Sequence, residues 1–135
     1  MSRIAFIYVA LGSAAGGVLR YAVAVGTAAA WSGAYPIATL IVNVVGSLVI
    51  GLLAGWLRSS MARLRWDAPH LLGMTGLCGG FTTFAFFSWD TFAMLSKELY
   101  ATAIGYASLS VLLSLLGVWI GFVFSARYFL SRKRY

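Results

Sequence analysis

A bundle of four membrane-spanning helices is the fold class this sequence predicts, and three observations predict it. Of its 135 residues, 61% are hydrophobic and 10% are charged, against roughly 25% charged residues in an ordinary soluble domain. The mean hydropathy is +0.90, which leaves too few polar side chains to clothe a globule of this size in water. The apolar residues also gather into four runs, 4–25, 37–57, 71–95 and 100–124, each long enough for the ~20 helical residues that cross a hydrocarbon core. With their short connections the runs fill residues 1–135, so a single four-helix transmembrane domain is expected.

The same composition excludes several function classes. Three acidic residues, Asp67, Asp90 and Glu98, and one histidine are too few for a carboxylate metal cluster or an Asp/His catalytic triad, so no enzyme is expected. One cysteine, Cys78, rules out an intrachain disulfide and a multi-cysteine metal centre. A net charge of +7 would suggest nucleic acid in a soluble protein. Here most basic residues stand beside apolar runs, at Arg58, Arg63 and Arg65 and at Arg127, Arg132, Lys133 and Arg134. That is the juxtamembrane pattern, which points to a lipid bilayer and no nucleic acid.

The first run follows Arg3 and leads to Ala28-Ala29-Ala30, features shared with a cleavable signal peptide, but it is longer than such an apolar region and three more spans follow. In the second run Thr39, Asn43, Ser47, Gly51 and Gly55 recur every four residues, each about 40° around the helix from the last. They form one slowly winding polar and small-residue stripe. In the fourth run Thr102, Tyr106, Ser110 and Ser114 place a hydroxyl at the same interval. Helix packing accounts for any one of these positions, since Gly12/Gly16, Gly51/Gly55 and Gly117/Gly121 are spaced for close backbone approach. Two aligned stripes of hydroxyl and amide groups also suit a transport path.

The third run holds Gly76-Leu77-Cys78-Gly79-Gly80-Phe81-Thr82-Thr83-Phe84. Clustered glycines followed by two threonines should break the helix near mid-membrane. Backbone freed at that depth must be buried in protein or line a cavity, and unwound carbonyls are ready ligands for a hard cation. Phe84 and Phe87, three residues apart, share a helix face.

In order and spacing, Gly16-Gly17-x-x-Arg20-Tyr21, the segment Thr39 to Gly46 containing Asn43, the glycine-rich segment through Phe84 with Phe87-Ser88, and Tyr100 to Ala103 with Tyr106, Ser110 and Ser114 resemble the Fluc (CrcB) family of fluoride channels over nearly the whole chain. The resemblance implies a dimer of two oppositely oriented four-helix copies, multi-pass in the cell's inner (cytoplasmic) membrane. It also implies fluoride as the transported ion, carried out passively to reduce fluoride toxicity, and a structural sodium ion at the dimer centre. The sodium ligands would be the main-chain carbonyls of Gly79 and Thr82 from each copy.

For the fluoride pathway the resemblance implies Asn43 as an N–H donor, and Phe84 and Phe87 as pore-lining rings whose positive edges attract an anion. Thr39, Tyr106, Ser110 and Ser114 would supply hydroxyls that replace the ion's water shell, and Arg20, placed at the end of the first span, would draw anions in. Two positions depart from the family pattern. Asp90 stands where a longer glutamate is usual, and Phe86 where a small polar residue is common.

Charge raises a question of orientation. With four spans, the N-terminus, second connection and C-terminus share one side and carry nearly all of the basic residues, whereas the opposite connections carry Lys97. The positive-inside rule would then put both termini of every copy in the cytoplasm, while an antiparallel homodimer needs half the copies reversed. A heterodimer with an oppositely oriented homologue is the other arrangement. The rival function is a small proton-coupled multidrug exporter, also built of four short spans, but its coupling requires a carboxylate in the membrane that the first span lacks. A non-transporting scaffold would explain every stripe as packing.

Overall fold

The computed structural model describes residues 3–31, 33, 35–59 and 70–131, and every regular element among them is helical. The basic side chains of Arg63, Arg65, Arg132, Lys133 and Arg134, and Asp67, lie outside the described residues. Four helical segments are long and apolar enough to cross a membrane. They comprise α1 (Arg3–Ala30), α2 (Ile37–Ser59), a third segment in pieces, and α5 (Tyr100–Ser131). The third segment begins as a π-helix, His70–Cys78, runs into one α-helical turn, α3 (Gly79–Phe81), breaks, and resumes as α4 (Phe84–Ser96).

Two helices outrun the lengths expected from hydropathy. α1 continues past Val25 through Gly26 and Thr27 to Ala30, because three alanines are strong helix formers and Thr27 Oγ1 donates back to the Val23 carbonyl at 2.6 Å. α5 continues past Phe124 to Ser131. Arg20 therefore sits well inside α1 rather than at its end.

The chain reverses between helices with local chemistry. Pro36 precedes α2 and its carbonyl accepts the first helical bond from Leu40 N–H at 3.2 Å, leaving Ile37 to open the helix. At the end of α4 the backbone turns left-handed at Glu98, with φ 60°. Glu98 N–H donates to the Leu95 carbonyl and Leu99 N–H to that of Met94, each at 3.0 Å. This is the double closure that a left-handed residue allows just past a helix end.

Two tight crossings organise the bundle, α1 against the π-helical segment and α2 against α5. Both are made by glycines. A Cβ on Gly12 would stand 2.8 Å from the Leu77 nitrogen, and one on Gly51 would stand 2.9 Å from that of Phe122. Without side chains at these points the backbones meet directly, which is how helices associate where lipid removes the hydrophobic driving force.

Most large apolar side chains face outward, Val18, Ile104 and Trp119 among them, and within the apolar windows of the spans only 17–22% of residues are buried inside the chain. A bilayer makes that surface favourable. Buried core is confined to a few positions, with Tyr106, Val42 and Cys78 the largest side chains fully enclosed.

Candidate functional site

The break in the third span is the centre of the site. Thr82 (φ −76°, ψ 161°) and Thr83 (φ −152°, ψ 118°) leave the helical region. Their freed polar groups need partners at membrane depth, and side chains supply them. Asn43 of α2 reaches across so that its Oδ1 accepts from Thr83 N–H at 2.8 Å, while its Nδ2 donates to the Thr83 carbonyl at 3.0 Å. Thr83 Oγ1 then caps α4 by accepting from Phe86 N–H at 3.1 Å. Thr82 stays tied to the preceding turn, since its N–H and its Oγ1 both donate to the Cys78 carbonyl at 2.9 Å.

These bonds have a second effect. In a continuous helix the Gly79 carbonyl would accept from Thr83 N–H and the Thr82 carbonyl from Phe86 N–H. Both donors are instead spent on Asn43 Oδ1 and Thr83 Oγ1. Two main-chain oxygens thus lose their helical partners, at an exposed glycine and a half-buried threonine. Neutral carbonyl oxygens of this kind suit a hard cation such as sodium. Among the described residues no His/Cys/Asp/Glu group could hold a metal ion.

Beside the break runs an open groove of about 410 Å³, lined by Asn43 and Ser47 from α2, Thr82, Phe84 and Phe87 from the third span, and Ser110 and Ser114 from α5, together with aliphatic side chains. Asn43 and Ser47 of the second-span stripe and Ser110 and Ser114 of the fourth-span stripe therefore share one groove. Tyr106 does not line it. The ring is fully buried behind Phe87, with centroids 5.6 Å apart, and its hydroxyl, like Ser110 Oγ, is buried without a hydrogen-bond partner among the described residues.

Four rings stand in series. Phe84 lies 5.7 Å from Phe87, Phe87 lies 5.6 Å from Tyr106, and Tyr35 packs edge-on against Tyr106 at 5.5 Å and 88°. Phe84, at the outer end, is 79% exposed.

Thr39 and Arg20 lie away from the groove, together on a separate cavity of about 90 Å³ between α1, α2 and the start of α4. The Thr39 hydroxyl is committed, donating to Asp90 Oδ2 at 2.7 Å. Arg20 sets its guanidinium over the Phe86 ring, 5.6 Å from the centroid. Sequence reasoning did not reach Tyr35, which joins the ring series from the first connection. It did not identify Asp90 as the partner of Thr39 either; a lone carboxylate in an apolar span was the available signal.

Comparison with known proteins is consistent along the chain. Residues 7–122 match the family described as CrcB-like protein, Camphor Resistance (CrcB). A protein of a Caulobacter species named fluoride-specific ion channel FluC is 41% identical over 91% of this chain and 95% of its own length. One from Bradyrhizobium diazoefficiens, named fluoride-specific ion channel FluC 1, is 36% identical over 94% and 88%, and one from Paramagnetospirillum magneticum, named fluoride-specific ion channel FluC, is 43% identical over 89% and 94%. The matched stretch takes in all four spans, the break and both stripes, and the chain belongs to the CrcB family.

Proposed function

We propose that this chain is a passive fluoride channel that lets fluoride out across the cytoplasmic membrane, working as an antiparallel pair of copies. The observation that carries the reading is the groove beside the break, which Ser47, Ser110 and Ser114, Asn43, and Phe84 and Phe87 line together.

Fluoride is small, strongly hydrated and an avid acceptor of hydrogen bonds. A path lined by fixed donors replaces part of its water shell, while the ring edges supply positive potential without a cation that would trap it. Asn43 uses one amide N–H on the Thr83 carbonyl and retains a second, since an amide nitrogen carries two. Serine hydroxyls rotate to follow a passing ion. The buried, unpartnered hydroxyls of Tyr106 and Ser110 extend the same donor track behind Phe87.

Flow needs no fuel. Hydrogen fluoride crosses membranes as a neutral acid and dissociates in a less acidic cytoplasm, and a negative-inside potential drives the anion out by about 2.3 kcal/mol per charge per 100 mV.

The freed carbonyls of Gly79 and Thr82 fit sodium, which would place a fixed positive charge where two copies meet. The exposure of Phe84 and of Gly79 supports a second copy closing the groove. Purified protein in liposomes, with external fluoride followed by an ion-selective electrode, tests the reading. Rapid fluoride efflux without a proton gradient is expected, with chloride retained. Chloride release at a comparable rate, or fluoride movement only under a proton gradient, would reject it.

A further inference from the structure

The cavity that holds Arg20 contains a second ring with a different task. Phe86 is in the first turn of α4, and its N–H is anchored to Thr83 Oγ1 at 3.1 Å, so its position is tied to the break itself. The Arg20 guanidinium carbon lies 5.6 Å from the Phe86 centroid, within the range at which a cation is attracted to an aromatic face. Among the described residues no carboxylate lines this cavity. The one acidic side chain nearby in sequence, Asp90, already accepts from Thr39.

The difference between a ring and a carboxylate as partner matters for an anion. A carboxylate would cancel the charge of Arg20 and occupy its N–H donors, whereas a ring face attracts the cation and leaves those donors and the net charge in place. It also restrains a long side chain that would otherwise sample many rotamers in a half-exposed position. Phe84 and Phe87 border the groove itself, while Phe86 meets a cation.

Resting on the reading of the chain as an anion channel, we propose that Phe86 is a positioning residue, whose ring holds the Arg20 guanidinium beside the break and so sets how strongly the channel draws in fluoride. The volume of the ring is secondary and its face is what counts. Changing Phe86 therefore alters capture of the ion, while the groove of Asn43, Ser110 and Ser114 keeps its own rate of passage.

The test is initial fluoride flux against fluoride concentration in liposomes for the wild type, Phe86→Leu, Phe86→Trp, Arg20→Gln and the double variant Phe86→Leu with Arg20→Gln. Phe86→Leu should raise the half-saturating concentration roughly threefold, the scale of a partly exposed cation–ring contact, with maximal flux unchanged. Phe86→Trp should keep the wild-type value or lower it. In the Arg20→Gln background Phe86→Leu should add nothing. An equal loss in Phe86→Leu and Phe86→Trp, or a Leu effect that persists without Arg20, would overturn the proposal. If Phe86→Leu fails to give a monodisperse protein, Phe86→Met carries the same expectation. A conducting wild type with Phe86→Leu unchanged rejects this inference alone, while a wild type that passes no fluoride rejects the channel reading beneath it.

Discussion

Asn43 and Thr83 are joined by a pair of reciprocal hydrogen bonds, the Thr83 N–H to Asn43 Oδ1 at 2.8 Å and the Asn43 Nδ2 to the Thr83 carbonyl at 3.0 Å. One side chain from the second span thus completes the interrupted backbone of the third. Asn43 is a structural brace as well as a candidate ion donor, and replacing it by leucine removes both functions. At ~1–3 kcal/mol per buried group left unpaired, Asn43→Leu should lower thermal stability in detergent by an amount large against a marginal fold, and fluoride flux should fall with it. A flux loss at unchanged melting temperature would assign Asn43 to the ion alone.

Phe84 and Phe87 should separate in the same pair of assays. Phe87 touches both Phe84 and Tyr106, whereas Phe84 is 79% exposed. Isoleucine keeps apolar bulk and deletes the ring quadrupole. Phe84→Ile should cut flux at least roughly tenfold, on the scale of 1.4 kcal/mol, with little change in stability. Phe87→Ile should cut flux and also destabilise by about 1 kcal/mol, as Tyr106 loses its tilted ring neighbour.

Glycines at the two crossings should not tolerate a methyl group. Gly16→Ala and Gly51→Ala each push a Cβ into facing backbone, where overpacking costs about 1–3 kcal/mol or more because backbone cannot swing aside. Gly105, where an added Cβ meets nothing within 4 Å, is the control, and Gly105→Ala should be neutral in yield and melting temperature. Equal behaviour of all three would mean that the crossings are looser than the contacts indicate.

The turn after α4 offers a stabilising change. Glu98 holds a left-handed conformation, φ 60°, which is disfavoured for a residue with a Cβ by ~1 kcal/mol and free for glycine. Glu98→Gly should therefore raise the melting temperature without altering flux. A fall would show that the Glu98 side chain makes a contact worth more than the strain.

Orientation is accessible through Lys97, which is exposed beside that turn. On a Cys78→Ser background, Lys97→Cys should react with a membrane-impermeant thiol reagent from both faces of the membrane if copies insert both ways. Labelling from one face alone would require a partner chain of opposite topology.

The spans were legible because length and hydropathy act locally, and the break because Gly79, Gly80, Thr82 and Thr83 stand together in sequence. What remained hidden depends on residues far apart in the chain. Nothing near Thr83 reveals that Asn43 bonds to its backbone, and nothing near Thr39 reveals that its hydroxyl is taken by Asp90. The π-helical form of His70–Cys78 is also invisible in the sequence, whose glycines at 73 and 76 signal close packing without fixing the hydrogen-bond period. Tyr106 falls at the four-residue interval of a hydroxyl stripe, yet periodicity alone does not tell a groove-lining position from a buried one, and here the ring is buried behind Phe87.

The pairing of α2 with α5 bears on how the chain is made. Synthesis delivers the second span early, but the helix that packs against its glycines is made only after the third span. Until then the small-residue surface lacks its final neighbour, although Thr83, the partner of the Asn43 amide, is produced in the interval. Assembly must therefore follow insertion, and a chain cut short before Gly117 and Gly121 would leave in the membrane a helix whose polar side still seeks a partner, a form that quality control can distinguish from the finished protein.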